Sequence, residues 1–159
     1  MLNEPERGTD VSTGTGGLSP EAVDSNDEAI LIAYIPGEIG EAALDAGLNA
    51  ARSRSCRVVL VNAPRAGRTV DRKMIDDKAK AELVHRARSG NVELQVVQPI
   101  DDDPVAAIED LADSGAFSLL VIGLRRRSSI GKFIMGSTAQ RLLLDVDIPV
   151  LSIKARRQS

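Results

Sequence analysis

The stretch "FSLLVIGLRRRSSIGKFIMGSTAQRLLLDVD" (117–147) decides how the rest of the chain is read. Its first seven residues are an almost unbroken apolar run of strand length, the signature of a strand covered on both faces. A loop with glycines at 123, 131 and 136 and cations at Arg125, Arg126, Arg127 and Lys132 follows. From Ser137 the apolar residues return at helical spacing. Strand, glycine-rich basic loop and helix is a unit that either holds an anion or simply turns a corner.

The same alternation recurs on both sides. "AILIAY" (29–34), "RVVLVNA" (57–63), "VELQVVQ" (92–98) and "IPVLSI" (148–153) have strand length and composition, and with 117–123 they make five strands. Between them lie "GEAALDAGLNAARSR" (40–54), "DRKMIDDKAKAELVHRARSG" (71–90), "DPVAAIEDLADSG" (103–115) and "STAQRLLLDVD" (137–147), each apolar at helical spacing. Alternating strands and helices call for right-handed crossovers over a parallel sheet. The predicted class is α/β, doubly wound, with helices on both faces. Two helix starts are legible. Asp103 before Pro104 reads as an N-cap with proline at the first helical position, and Ser137 with Gln140 three residues later reads as a capping box.

Composition bounds the function. At 159 residues and 43% hydrophobic, the chain suits one domain. Residues 1–27 hold six carboxylates against Arg7 and are rich in Gly, Ser and Thr, so of the overall charge of −3 the tail carries −5 and the remainder +2. Such a tail has too little apolar surface to offset the entropy of ordering, and it is expected to be disordered, with 28–155 as the domain and 156–159 as a flexible end. No apolar run reaches the about 18 residues that a membrane span needs. Cys56 has no partner for an internal disulfide and Met1 to Arg7 is polar, so the expected location is the cytoplasm. The aromatics are Tyr34, Phe117 and Phe133, with no Trp, which leaves no stacking surface for nucleic acid.

Candidate chemistry is sparse. The single histidine, His85, falls on the second predicted helix with no base-pairing partner, Cys56 opens a strand, and no nucleophile, base and orienting group can be assembled, so no catalytic residue is assigned. Asp101, Asp102 and Asp103 have the oxygen chemistry of a hard-cation site, but consecutive residues seldom converge on one ion and the cap already accounts for Asp103; no metal site is assigned. The loop from Gly123 to Ser137 is the remaining candidate. A helix N-terminus favours an anion, glycines admit it closely and arginines meet it with charge. A solvated basic loop is the competing reading of the same residues.

The loop resembles the universal stress protein family. That family carries, between its fourth strand and fourth helix, Gly, two residues, Gly, nine residues, Gly, then Ser or Thr; here the positions read Gly123, Arg126, Gly136 and Ser137. "EAAL" in the first helix, the strand-turn-helix at 92–111 and the ending "IPVLSIK" extend the likeness over roughly 28–155. The resemblance implies a five-stranded parallel sheet in order 3-2-1-4-5 with a ligand crevice between strands one and four. It also implies ATP, with Mg, or a related nucleotide as the ligand, with phosphates or ribose at Gly123, Gly136, Ser137 and Thr138, and adenine near Ala63 and the end of the first strand. Arg125, Arg126 and Arg127 are candidate phosphate partners. Two departures stand out: Arg126 replaces a motif glycine, and Ile35 stands where nucleotide-binding members have an aspartate. The functional expectation is a non-catalytic, stress-associated regulatory module. A member acting only through protein contacts and a weak nucleotide hydrolase are the alternatives. A homodimer joined through the edge strand Ile148 to Lys154 is expected, because Pro149 suits an edge or a strand start and an apolar edge needs covering.

Overall fold

The computed structural model of the chain describes residues 28–63, 74–124 and 135–155. The elements run β1 (Ala29–Ala33), α1 (Glu38–Arg54), β2 (Arg57–Val61), α2 (Asp77–Ser89), β3 (Leu94–Val97), α3 (Pro104–Asp113), β4 (Phe117–Leu124), α4 (Ser137–Asp145) and β5 (Val150–Lys154). The strands form one sheet in the order β3-β2-β1-β4-β5, and every neighbouring pair is parallel. This is the doubly wound α/β fold expected from the alternation. Element boundaries shift by a few residues: β3 starts at Leu94 rather than 92, β5 at Val150 rather than 148, and α2 begins at Asp77 rather than near 71.

Two apolar layers hold the sheet. On one face Ile30, Ile32, Val58, Leu60 and Val121 pack against Ala43, Leu44 and Leu48 of α1 and Leu83 and Ala87 of α2. On the other, Leu31, Val59, Val61, Leu120 and Ile122 meet Val105, Ile108 and Ala112 of α3 and Leu142 of α4. The period-two alternation along β1 thus feeds both layers, and each fully buried Leu or Ile stabilises by about 1.5–3 kcal/mol. Close helix-sheet approach is bought with glycine: a Cβ on Gly47 would overlap the Ile32 side chain.

Caps define the helices. Asp76 accepts from the Ala79 amide at 2.8 Å at the head of α2. Asp103 accepts from Val105 and Ala106 at 3.0 and 3.3 Å with Pro104 in the first turn of α3, as read from the sequence. The capping box at Ser137 and Gln140 does not form. The N-cap of α4 is Gly136, whose carbonyl accepts from the Gln140 amide at 3.0 Å, and among the described residues no side-chain cap bond is made there. One residue of register places Ser137 inside the helix, where its hydroxyl no longer occupies the capping position.

Candidate nucleotide crevice

β1 leads through α1 to one side of the sheet and β4 leads through α4 to the other, so the C-terminal ends of β1 and β4 part at a topological switch point. A cavity of about 470 Å³ opens there, lined from β1 and its exit by Ala33, Tyr34 and Ile35, from β2 by Val61 and Ala63, from β4 by Ile122 and Gly123, and from α3 and α4 by residues including Asp103, Val105, Thr138 and Leu142. Its volume lies within the range of small-molecule sites, and its floor is apolar.

The polar side chains around it are mostly engaged. The Tyr34 hydroxyl donates to Glu41 Oε1 at 2.7 Å, and burial followed by that carboxylate pushes its ionisation well above the usual tyrosine range. Glu41 is held in turn by Arg86 of α2 at 2.5 Å, and Arg86 also bonds Asp45, which ties α2 to α1 behind the cavity. Asp103 gives Oδ1 to the α3 amides and Oδ2 to Arg141 of α4, and the Arg141 hydrogen bond, chief among several, holds its carboxyl below the usual range. The head of α4 differs: Gly136 provides no side-chain cap, and the first turn holds no acid. Among the described residues a Cβ on Gly136 would meet nothing within 4 Å.

Ile35, Ala63, Gly123, Gly136 and Thr138, proposed from separate parts of the sequence, line this single cavity. Ser137 is exposed and does not line it. Arg125, Arg126 and Arg127 lie outside the described residues. Gly123 has a use that sequence reasoning missed. A Cβ there would overlap the Ile39 side chain and carbonyl, so the glycine admits the first turn of α1 rather than a ligand from that side. The carbonyl of Ile35 likewise turns toward α1, against Gly40.

Asn62 was also missed. It is 1% exposed; its Nδ2 donates to the Tyr34 carbonyl at 3.1 Å, and its Oδ1 accepts from the Ile75 amide at 3.2 Å and from Gln98 Nε2 at 2.9 Å. One side chain thereby ties together the exits of β1 and β3 and the approach to α2, and of these the β1 exit, at Tyr34 and Ile35, lines the crevice. An asparagine ending an apolar strand run is the signal that points to it, since a buried amide demands partners. His85 is exposed on α2, and burial raises the Cys56 thiol despite the opposing pull of Arg54. Among the described residues no three His, Cys, Asp or Glu side chains gather as metal ligands, and no helix is long and apolar enough to cross a membrane. The arrangement can bind an apolar body with an anionic end.

Residues 28–154 match the family model described as the universal stress protein family. A universal stress protein of Mycolicibacterium smegmatis is 31% identical over 125 residues, spanning 79% of this chain and 96% of that protein. Among solved structures, a universal stress protein of Archaeoglobus fulgidus is 30% identical with a TM-score of 0.67, covering 80% of this chain and 98% of its own. The structure of the universal stress protein from the same organism in complex with dAMP is 26% identical, with a TM-score of 0.62 over 80% of this chain and 98% of its own. With the family's sheet order, the crevice at its switch point and the matched span all in place, the chain belongs to the universal stress protein family.

Proposed function

We propose that this protein is a non-catalytic regulatory module that binds an adenine nucleotide, ATP with Mg, in the crevice between β1 and β4. The observation that carries the reading is the junction of an apolar cavity with the uncapped head of α4: the cavity suits a base, and free amides at a positive helix end suit its phosphates. The dAMP complex of the Archaeoglobus fulgidus relative supports it. Adenine then lies toward Ile35 and Ala63, and the phosphates toward Gly136 and Thr138, with Arg125, Arg126 and Arg127 of the connecting loop as their partners. Asp103 is already engaged by Arg141, so magnesium enters as the nucleotide's own counter-ion. Calorimetric titration with ATP, ADP and AMP, with and without magnesium, tests the site; binding is expected, and absence of heat with all three removes the reading.

The edge of the sheet favours a second property. β5 pairs with β4, and the Leu120 amide donates to the Pro149 carbonyl at 2.9 Å. Backbone groups of a parallel strand alternate between its two sides, so Pro149 and Leu151 face β4 while Val150 and Ser152 turn theirs outward. Leu151 on this edge and Leu144 on α4 are 38% and 74% exposed. A two-fold copy of Ile148 to Lys154 laid against this edge covers it, giving a homodimer. Ser152→Pro, which removes an outward donor, should yield monomer in light scattering at tens of micromolar. A wild-type monomer at that concentration rejects the dimer. Leu151→Pro is the weaker test, because it breaks the bond to β4 instead.

A further inference from the structure

The residues of α3, α4 and their heads that line the crevice include a carboxylate, Asp103, together with Gly136 and Thr138 at the head of α4. Left bare, that charge opposes the phosphates that the proposed function places beside it. The two oxygens of Asp103 are divided: Oδ1 takes both α3 amides, which completes the cap, and Oδ2 is taken by Arg141 from the second turn of α4. The cap therefore does not require the arginine. Arg141 is 40% exposed, and exposed ion pairs contribute little to stability, so holding α3 against α4 is a minor part of what the contact does. Its lasting effect is on charge. The same guanidinium reaches Glu109 Oε2 at 2.7 Å and Asp145 Oδ2 at 3.6 Å, so it sits among three acids, of which Asp103 is the one that lines the cavity.

We propose that Arg141 is a positioning residue for the anion site: by engaging Asp103 Oδ2 it masks the carboxylate that the described residues present to the crevice, so that a polyphosphate can reach the head of α4. The inference rests on the nucleotide reading above and adds to it a residue that does not itself touch the ligand. It makes a prediction of opposite signs at two positions. Removing Arg141 uncovers a negative charge and weakens anion binding; removing the charge of Asp103 as well restores it.

The test is calorimetric titration of ATP and of inorganic triphosphate into the full chain and its variants at low and high salt. Arg141→Gln should weaken both ligands on the order of tenfold at low salt, with the deficit shrinking as salt screens the exposed charge. Arg141→Gln combined with Asp103→Asn should recover most of the wild-type affinity, since asparagine still caps α3. Arg141→Lys, which keeps the positive charge, should stay within a few-fold of wild type. Thermal unfolding of each variant reports whether the fold is retained. An Arg141→Gln protein that binds as well as wild type overturns the proposal. So does a folded double variant as weak as the single one, which would mean that Arg141 meets the ligand directly or serves Glu109 instead. A wild-type protein that binds neither ligand fails at the nucleotide reading itself, a result distinct from these two.

Discussion

The four helices begin in two ways. α2 and α3, which follow β2 and β3, start on Asp76 and Asp103, and each aspartate accepts backbone amides of its first turn. α1 and α4, which follow the two strands of the switch point, start on Gly37 and Gly136 and have no side-chain cap. The uncapped pair divides again. α1 carries Glu38 and Glu41 in its first turn, which offset its positive end from within, whereas the first turn of α4 has no acid. Asp76 and Asp103 offset the positive ends of α2 and α3 from within, and Asp103 does so while also lining the crevice. The proposed nucleotide site draws on the end of α4, where no acid stands in the first turn.

This contrast can be attacked from the ligand side first. Replacing Arg125, Arg126 and Arg127 together by Ala should reduce ATP affinity by about a hundredfold or more and flatten its salt dependence, because charge-assisted bonds to phosphate contribute strongly. An unchanged dissociation constant would show that α4 does not share an anion with that loop. Next in size is Gly136→Asp, which converts α4 into a helix of the α2 and α3 kind. Its backbone is extended and a Cβ there meets no described residue within 4 Å, so the described structure accommodates the side chain. ATP binding should drop by roughly tenfold while stability changes by only a few tenths of a kcal/mol, since glycine is already an acceptable cap. Loss of stability without loss of binding would contradict the division of labour proposed for the two classes.

The converse change is Asp103→Ala. It removes the cap of α3 and should lower the denaturant midpoint of unfolding with the slope unchanged. A neutral result would mean that Pro104 alone sets that helix start. The smallest effect is on pH. The folded-state pKa of Asp103 is lowered from the ordinary 3.8, mainly by its hydrogen bond from Arg141. Its contribution is therefore complete above the unfolded value and is lost as pH falls through the lower folded one. Melting temperature should fall less steeply with acidification in Asp103→Asn than in wild type, and parallel curves would refute the assignment.

Much of the fold was legible because its signals are local. Apolar runs such as 117–123 report burial on both faces without reference to any distant residue, and Asp103 followed by Pro104 specifies a helix start within two positions. The capping box failed for a reason of register. Gly136 and Ser137 are both acceptable caps, and the choice between them depends on how the preceding loop delivers the chain, which the helix sequence does not encode. Site residues followed the same rule. Ile35, Ala63, Gly123, Gly136 and Thr138 could be placed by motif spacing and strand ends. Tyr34 escaped because its hydroxyl partner is on the next helix, and the packing of Ile39 against Gly123 escaped because that nearness is a product of helix docking. Asp103 was read as a cap alone; that it also lines the crevice follows only once sheet order brings β3 and β4 to their places.

Three partners of Asn62 lie 28, 13 and 36 residues away along the chain, and they come together only when the segments that carry them have docked. Until then the amide either stays in water or is buried at a cost of about 1–3 kcal/mol. The side chain thus discriminates against collapsed forms in which β1 and β2 have paired but β3 has not, and it ties the setting of the β1 exit, which lines the crevice, to the docking of β3 and the approach to α2. Its imprint should be visible in hydrogen exchange: the Ile75 amide, outside any helix or strand, should exchange about as slowly as the amides inside the sheet, and in Asn62→Ala it should exchange as a loop does.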